Sequence, residues 1–320
     1  MFWKDKPINE EIPLVNLENI NLDNHRFTYN HSKNYENLDV LLKFINTNYF
    51  YKNDKFRFVY RREHLEYFLK NGGWISMRSN KFPDTIIGVV AYRLVKLNDD
   101  STTSEVDFLC VKECLRKTSI VTFIIDNVIK TIVETGVNTC FFTGMDKRNI
   151  PHYCVKRIFI YPLDLVKLMK LKYIPLCLMR KISYTYDHLV YSKCKDYSCI
   201  KDNYNALYIK EDLKKEECFI DYVVGGNFFR FMKIDVSTTS SVIKAVTLYY
   251  STAPVYKYID NLGYILKNEH KIDSIILYEK FPDNIKNNQN LFDTKSPIFY
   301  YSFNKRITNI EDNPVSMNPV

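Results

Sequence analysis

Glycine is scarce in this chain, at 8 of 320 residues against a usual share of about 7%. The few present read as punctuation, notably Asn71-Gly72-Gly73 and Gly136. No run of about 18 apolar residues occurs, so no segment reads as a membrane-spanning helix. The eight cysteines are scattered and none forms a C-x-x-C pair. With no signal-peptide pattern at the start, reduced thiols in a cytoplasmic setting are expected. His152 and Cys154 lie close together without a second ligand pair, so no metal site is expected. The basic residues give a net charge of +8 but are spread along the chain. A nucleic-acid binder would gather them into one patch or motif, so no nucleic-acid partner is expected.

What the chain does have is aromatic side chains, 25 Tyr and 21 Phe. Hydrophobic residues make up 46% and charged ones 26%, the balance of a soluble globular protein. Its length allows two packed units.

Hydrophobic periodicity divides the chain into mixed elements. Leu38, Leu41, Leu42 and Ile45 follow helical spacing up to Tyr49, and a second helix is expected over Arg61–Lys70, stopped at Asn71-Gly72-Gly73. Strands are expected around Trp74–Met77, Thr85–Val95 and Glu105–Val111. Ser119–Glu134 is the strongest helix, with the apolar stripe Ile120, Phe123, Ile124, Val128 and Ile132, Ser119 as cap and Gly136 as stop. A strand over Asn138–Phe142 follows. Lys167–Lys172 reads as a helix face. Beyond Lys181 the pattern partly starts again, with strands at Phe219–Val224, Phe228–Ile234 and Ala245–Tyr250, a helix over Val255–Lys267, and strands at Ser274–Tyr278 and Ile298–Phe303. This order fits an α/β or α+β protein of two similar halves, although no sequence repeat proves the duplication.

The segment that carries chemistry is the strand Glu105–Val111, a short loop, and the long helix. Leu115-Arg116-Lys117-Thr118-Ser119 places two cations and two hydroxyls where a helix begins. Unpaired N–H groups and the positive end of the helix dipole lie at such a point. Together with Arg and Lys they form a cradle suited to a pyrophosphate.

Four ordered motifs in the first 175 residues resemble those of the N-myristoyltransferase family. They are Phe2-Trp3 in an aromatic N-terminal arm, Phe56-Arg57-Phe58-Val59-Tyr60 preceded by Asn48-Tyr49, Gly73-Trp74, and Phe108-Leu109-Cys110-Val111 followed by Leu-Arg and the basic loop. Looser matches follow at Glu217–Val224, Thr252-Ala253-Pro254 and Phe299–Phe303. The resemblance implies two tandem GNAT-type acyltransferase halves sharing one saddle-shaped mixed sheet. Residues 1–180 would form an acyl-CoA-binding half, and residues 181–320 a shortened peptide-binding half.

The implied activity is transfer of a myristoyl group from myristoyl-CoA to the N-terminal glycine of protein substrates, by a monomer without metal. The backbone N–H groups of Phe108 and Leu109 would form an oxyanion hole, and the terminal carboxylate of Val320 would take the amine's proton; Asp221 and Asp235 are weaker substitutes for it. Phe2, Trp3, Phe108, Leu109, Cys110, Val111, Arg116, Lys117, Thr118, Ser119, Ile120 and Val121 would bind the acyl-CoA. Phe56, Phe58, Tyr60 and Thr143 would meet the peptide. Ser119 stands where the family has a second basic residue, and the acidic loop before the FRF motif is reduced to Tyr51–Lys55. Two other readings compete: a non-catalytic acyl-CoA or lipopeptide-binding module, and a shorter-chain acyltransferase.

Overall fold

Each helix lies where an apolar stripe can be covered. α1 (Leu38–Asn48) buries Leu38, Leu41, Phe44 and Ile45, and α2 (Arg62–Leu69) buries His64, Leu65, Phe68 and Leu69. α3 (Ile120–Glu134) buries all five residues of its expected stripe, each contributing about 1.5–3 kcal/mol when fully withdrawn from water. α4 (Leu165–Lys170) and α5 (Ile259–His270) complete the helices among the described residues. The computed structural model describes residues 27–50, 54–97, 100–116, 119–145, 151–175, 189–198, 200, 213–279 and 290–304.

Thirteen strands among these residues join in one mixed sheet. They are β1 (Phe27–Lys33), β2 (Arg57–Val59), β3 (Gly72–Ser79), β4 (Phe82–Lys96), β5 (Thr102–Val111), β6 (Cys140–Gly144), β7 (Cys154–Pro162), β8 (Tyr191–Lys193), β9 (Phe219–Val224), β10 (Asn227–Ser237), β11 (Val242–Ser251), β12 (Ser274–Glu279) and β13 (Phe292–Phe303). Across the sheet they run β1-β3-β4-β5-β6-β13-β7-β12-β11-β10-β9-β8, with β2 pairing with β10 off this path.

That order reveals the duplication the sequence left unproved. β3-β4-β5, α3, β6 and β7 repeat as β9-β10-β11, α5, β12 and β13. In both, three antiparallel strands lead through a helix to a strand parallel to the third. The last strand of each half is exchanged: β7 pairs with β12 of the second half, and β13 with β6 of the first. β7 and β13 pair with each other at the centre. Neither half can therefore close its sheet alone.

Several local expectations change in three dimensions. β1 was not expected, because most of its side chains are exposed and it shows no apolar alternation. β7 was not read as a strand either, since Lys156 and Arg157 interrupt its apolar residues, yet Lys156 is 2% exposed, with its ammonium 5.3 Å from the Tyr300 ring centroid. Gly72 begins β3 instead of serving as a helix stop. Its role is closeness, because a Cβ there would lie 2.0 Å from the Tyr92 carbonyl oxygen. Gly136 does take a positive φ of 82° just after α3. Ser119 occupies the N-cap position of α3, but its hydroxyl caps no N–H. The helix expected from Val255 is split into a 3₁₀ turn at Val255–Lys257 and then α5.

Candidate acyl-transfer site

β5 is interrupted where the oxyanion hole is expected. Ala91 pairs with Asp107 and Val89 with Cys110, so Phe108 and Leu109 together oppose Val90. This two-against-one bulge takes the Phe108–Leu109 amides out of the regular ladder. Phe108 adopts φ of 54°, a left-handed conformation that costs a bulky residue about 1–2 kcal/mol. Its ring compensates by being fully buried among Tyr60 (ring centroids 5.1 Å apart), Phe68 (5.2 Å) and Tyr49 (6.1 Å).

The bulge sits beside an opening in the sheet. β5 and β6 pair only at Ser104–Cys140 and Glu105–Phe141, and past that point the two parallel strands have no further pairing. Asp107, just before the bulge, accepts the Phe108 N–H at Oδ1 (2.7 Å), and the Tyr49 hydroxyl lies 3.5 Å from the same oxygen. Asp107 and Tyr49 were not expected in the site. An acid directly ahead of the apolar run Phe108-Leu109-Cys110-Val111 was the available signal.

Cys110 is adjacent but unsuited to covalent chemistry. Burial pushes its thiol up to about 12, with Arg116 only partly opposing this. A thiolate is the nucleophilic form, so Cys110 is not set up as a nucleophile. The side chains of Cys110, Val111 and Ile120 are buried.

The first turn of α3 carries no acidic side chain, and Ser119 before it is exposed. Its N-terminal N–H groups and dipole are thus suited to an anion. The matching helix of the second half differs: α5 has Asp260 in its first turn, accepting from the Tyr161 hydroxyl. A carboxylate there repels phosphate, so the two halves are not equivalent as nucleotide sites. Arg116 does more than offer charge. Its guanidinium donates to the carbonyls of Val111 (3.2 Å), Asn48 and Phe50 (2.7 Å), tying the loop to the end of α1.

The FRF segment joins the halves. β2 pairs with β10 at Val59–Asp235 and Ser237–Arg57, and Arg61 forms an ion pair with Asp235. Asn46 fixes Tyr60 by donating to its carbonyl (2.8 Å) and accepting its N–H (2.9 Å). Phe56 packs edge-on against Tyr173 at 5.0 Å, Phe58 is 43% exposed, and Thr143 pairs with Tyr300 on β13. The expected peptide residues are therefore distributed: Tyr60 supports the bulge, Phe56 lies in a separate cluster with α4, and Phe58 faces outward.

Neither substitute base is a free carboxylate. Asp221 receives the Arg230 guanidinium on both oxygens (2.9 and 2.8 Å) and the Tyr197 hydroxyl at 2.6 Å. Asp235 is held by Arg61. Phe2, Trp3, Lys117, Thr118 and Val320 lie outside the described residues. Among the described residues, no group of three or more His, Cys, Asp or Glu is arranged to hold a metal ion, and no helix is long and apolar enough to cross a membrane.

A bulged strand, a splayed parallel neighbour and an acid-free helix N-terminus are thus set together in a duplicated α/β architecture of two similar halves. Residues 7–154 match the family model of the myristoyl-CoA:protein N-myristoyltransferase N-terminal domain. A Saccharomyces cerevisiae N-myristoyltransferase with bound myristoyl-CoA superposes with a TM-score of 0.77 at 17% identity, covering 98% of this chain and 91% of that one. A second yeast structure, with myristoyl-CoA and inhibitors, gives 0.75 at 17% identity, covering 98% and 93%. A GCN5-related glucosamine N-acetyltransferase region of a fungal β-N-acetylglucosaminidase gives 0.52 at 11% identity, covering 88% of this chain and 38% of that chain. No curated protein sequence matches the chain. Residues 7–154 are thus similar to an N-myristoyltransferase N-terminal domain, and the chain shares the fold of the yeast N-myristoyltransferase structures.

Proposed function

We propose that this chain transfers the myristoyl group of myristoyl-CoA to the α-amine of an N-terminal glycine on protein substrates. The observation that carries the reading is the Phe108–Leu109 bulge, placed where β5 and β6 part and a few residues ahead of α3. In this reading the thioester oxygen accepts the two bulge amides and the pyrophosphate meets the first turn of α3. The amine attacks the carbonyl carbon, the C–S bond breaks, and CoA leaves as the thiol. One preorganised oxyanion donor typically contributes about 3–4 kcal/mol.

An α-amine has a pKa of about 8, so at neutral pH most of it is ammonium and must lose a proton first. The terminal carboxylate of Val320 is the proposed acceptor, supported by the ion pairing of Asp221 and Asp235. Residues 1–180 are assigned to the acyl donor and residues 181–320 mainly to the peptide, with the chain acting as a cytoplasmic monomer in lipid modification of proteins.

Mass spectrometry of a glycine-initiated peptide incubated with the protein and myristoyl-CoA tests the activity. One tetradecanoyl group on the N-terminal amine is expected, and an unmodified peptide would sink the proposal. Calorimetry should give far tighter binding of myristoyl-CoA than of acetyl-CoA, since each buried methylene contributes about 0.8 kcal/mol. Amidating the C-terminus should slow single-turnover transfer about 100- to 10,000-fold while donor binding persists.

A further inference from the structure

The Phe108 N–H, assigned above to the thioester oxygen, already has an acceptor. Asp107 Oδ1 lies 2.7 Å from it, at ordinary hydrogen-bond length, with the acceptor a carboxylate group. Hydrogen bonds to an ionised acceptor are roughly twice as strong as neutral ones, so this contact holds the amide more firmly than a water would. The bulge geometry makes the contact local. Phe108 turns left-handed immediately after Asp107, bringing its amide onto the preceding side chain.

We propose that the Asp107 carboxylate is an internal occupant of the oxyanion site, which the carbonyl of an acyl donor must displace. Two acceptors compete for one donor, and a carboxylate left in place would also repel the negative charge developing on the tetrahedral intermediate. Asp107 therefore steadies the strained bulge when no donor is bound and selects for ligands that bring a well-placed carbonyl. Displaced, its carboxylate stays beside Tyr49, whose hydroxyl lies 3.5 Å from the same oxygen. Asp107 is a residue of the donor site in its own right and not merely part of the strand.

This inference rests on the proposed acyl-transfer reading, and its test separates the two. Calorimetry compares the unmodified protein with Asp107→Asn, using myristoyl-CoA and its thioether analogue S-tetradecyl-CoA, which keeps the chain and nucleotide but lacks the carbonyl. Asn keeps the shape and removes the charge, so its bond to the N–H weakens. The variant should bind myristoyl-CoA about tenfold more tightly and the thioether unchanged. Asp107→Ala, which removes the acceptor, should move the same ratio in the same direction. An equal change for both ligands, or none, overturns the inference and leaves Asp107 as a stabiliser of the bulge, with the functional reading intact. Failure of the unmodified protein to bind either long-chain ligand overturns the functional reading and this inference with it.

Discussion

The guanidinium of Arg93, in the first half, donates to the hydroxyl of Tyr249, in the second, at 2.9 Å. Tyr249 is the extra residue in the register shift between β10 and β11, where Arg230 pairs with Tyr250 and Phe231 with Leu248. It is the counterpart in the second half of the Phe108–Leu109 bulge. Arg93 Nε also donates to Glu105 Oε2 at 2.6 Å, and the Tyr67 hydroxyl to that of Tyr249 at 3.1 Å. The strand bearing the candidate oxyanion hole is thereby linked to its structural counterpart through buried polar groups.

Tyr249→Phe deprives the buried Arg93 guanidinium of one acceptor while keeping the ring. Loss of such a bond to a charged donor costs about 1–3 kcal/mol. Urea denaturation should show a lower midpoint with an unchanged slope. An unshifted midpoint would mean that the link adds nothing to stability.

Tyr60→Leu keeps an apolar side chain but removes the ring packed edge-on against Phe108. The amides of the bulge should lose their aim, and misplacement by about 1 Å can cost on the order of 100-fold in rate. Single-turnover transfer should fall about 10- to 100-fold while donor affinity changes little. Equal losses in both would instead indicate a collapsed donor site.

Arg116 is distinguished from a simple cation by its three backbone carbonyl partners. Arg116→Ala should weaken CoA-ester binding about tenfold or more, and Arg116→Lys should recover little of it, because an ammonium cannot reproduce the planar fork. Calorimetry at two salt concentrations checks this. Full rescue by Lys would show that charge alone matters.

Stability should fall as the pH drops below about 6.5. Burial lowers the pKa of His64 from 6.5, opposed by a hydrogen bond to the Lys233 backbone, while its Nδ1 accepts the Arg61 N–H. His31 and His270 are also lowered, chiefly by burial. In the window below 6.5 the unfolded chain binds more protons than the folded one, so stability is present above it and is lost on acidification. His64→Gln should flatten the pH dependence of the urea midpoint; an unaltered slope would remove His64 as its source.

The helices were legible because their stripes are local. Ile120, Phe123, Ile124, Val128 and Ile132 recur at a spacing that a helix alone explains, and all are buried against the sheet. Edge and central strands were less so. β1 exposes most of its side chains, and β7 carries a lysine whose burial depends on Tyr300 from β13, about 140 residues away by the numbering of the two positions.

Sequence by itself determined the main helices, most of the strands between them, and the motif Phe108-Leu109 before a basic loop and a helix. Those features rest on periodicity and neighbouring side chains, which a linear reading contains. Tertiary structure alone decided that β7 and β13 exchange places, and that Phe108 is turned left-handed within an aromatic cage. It also decided that Arg116 grips carbonyls and Asp107 holds an amide of the bulge. The reason is physical. Strand partners, buried ion pairs and backbone strain are fixed by residues distant in sequence, and no local propensity specifies which of them will meet.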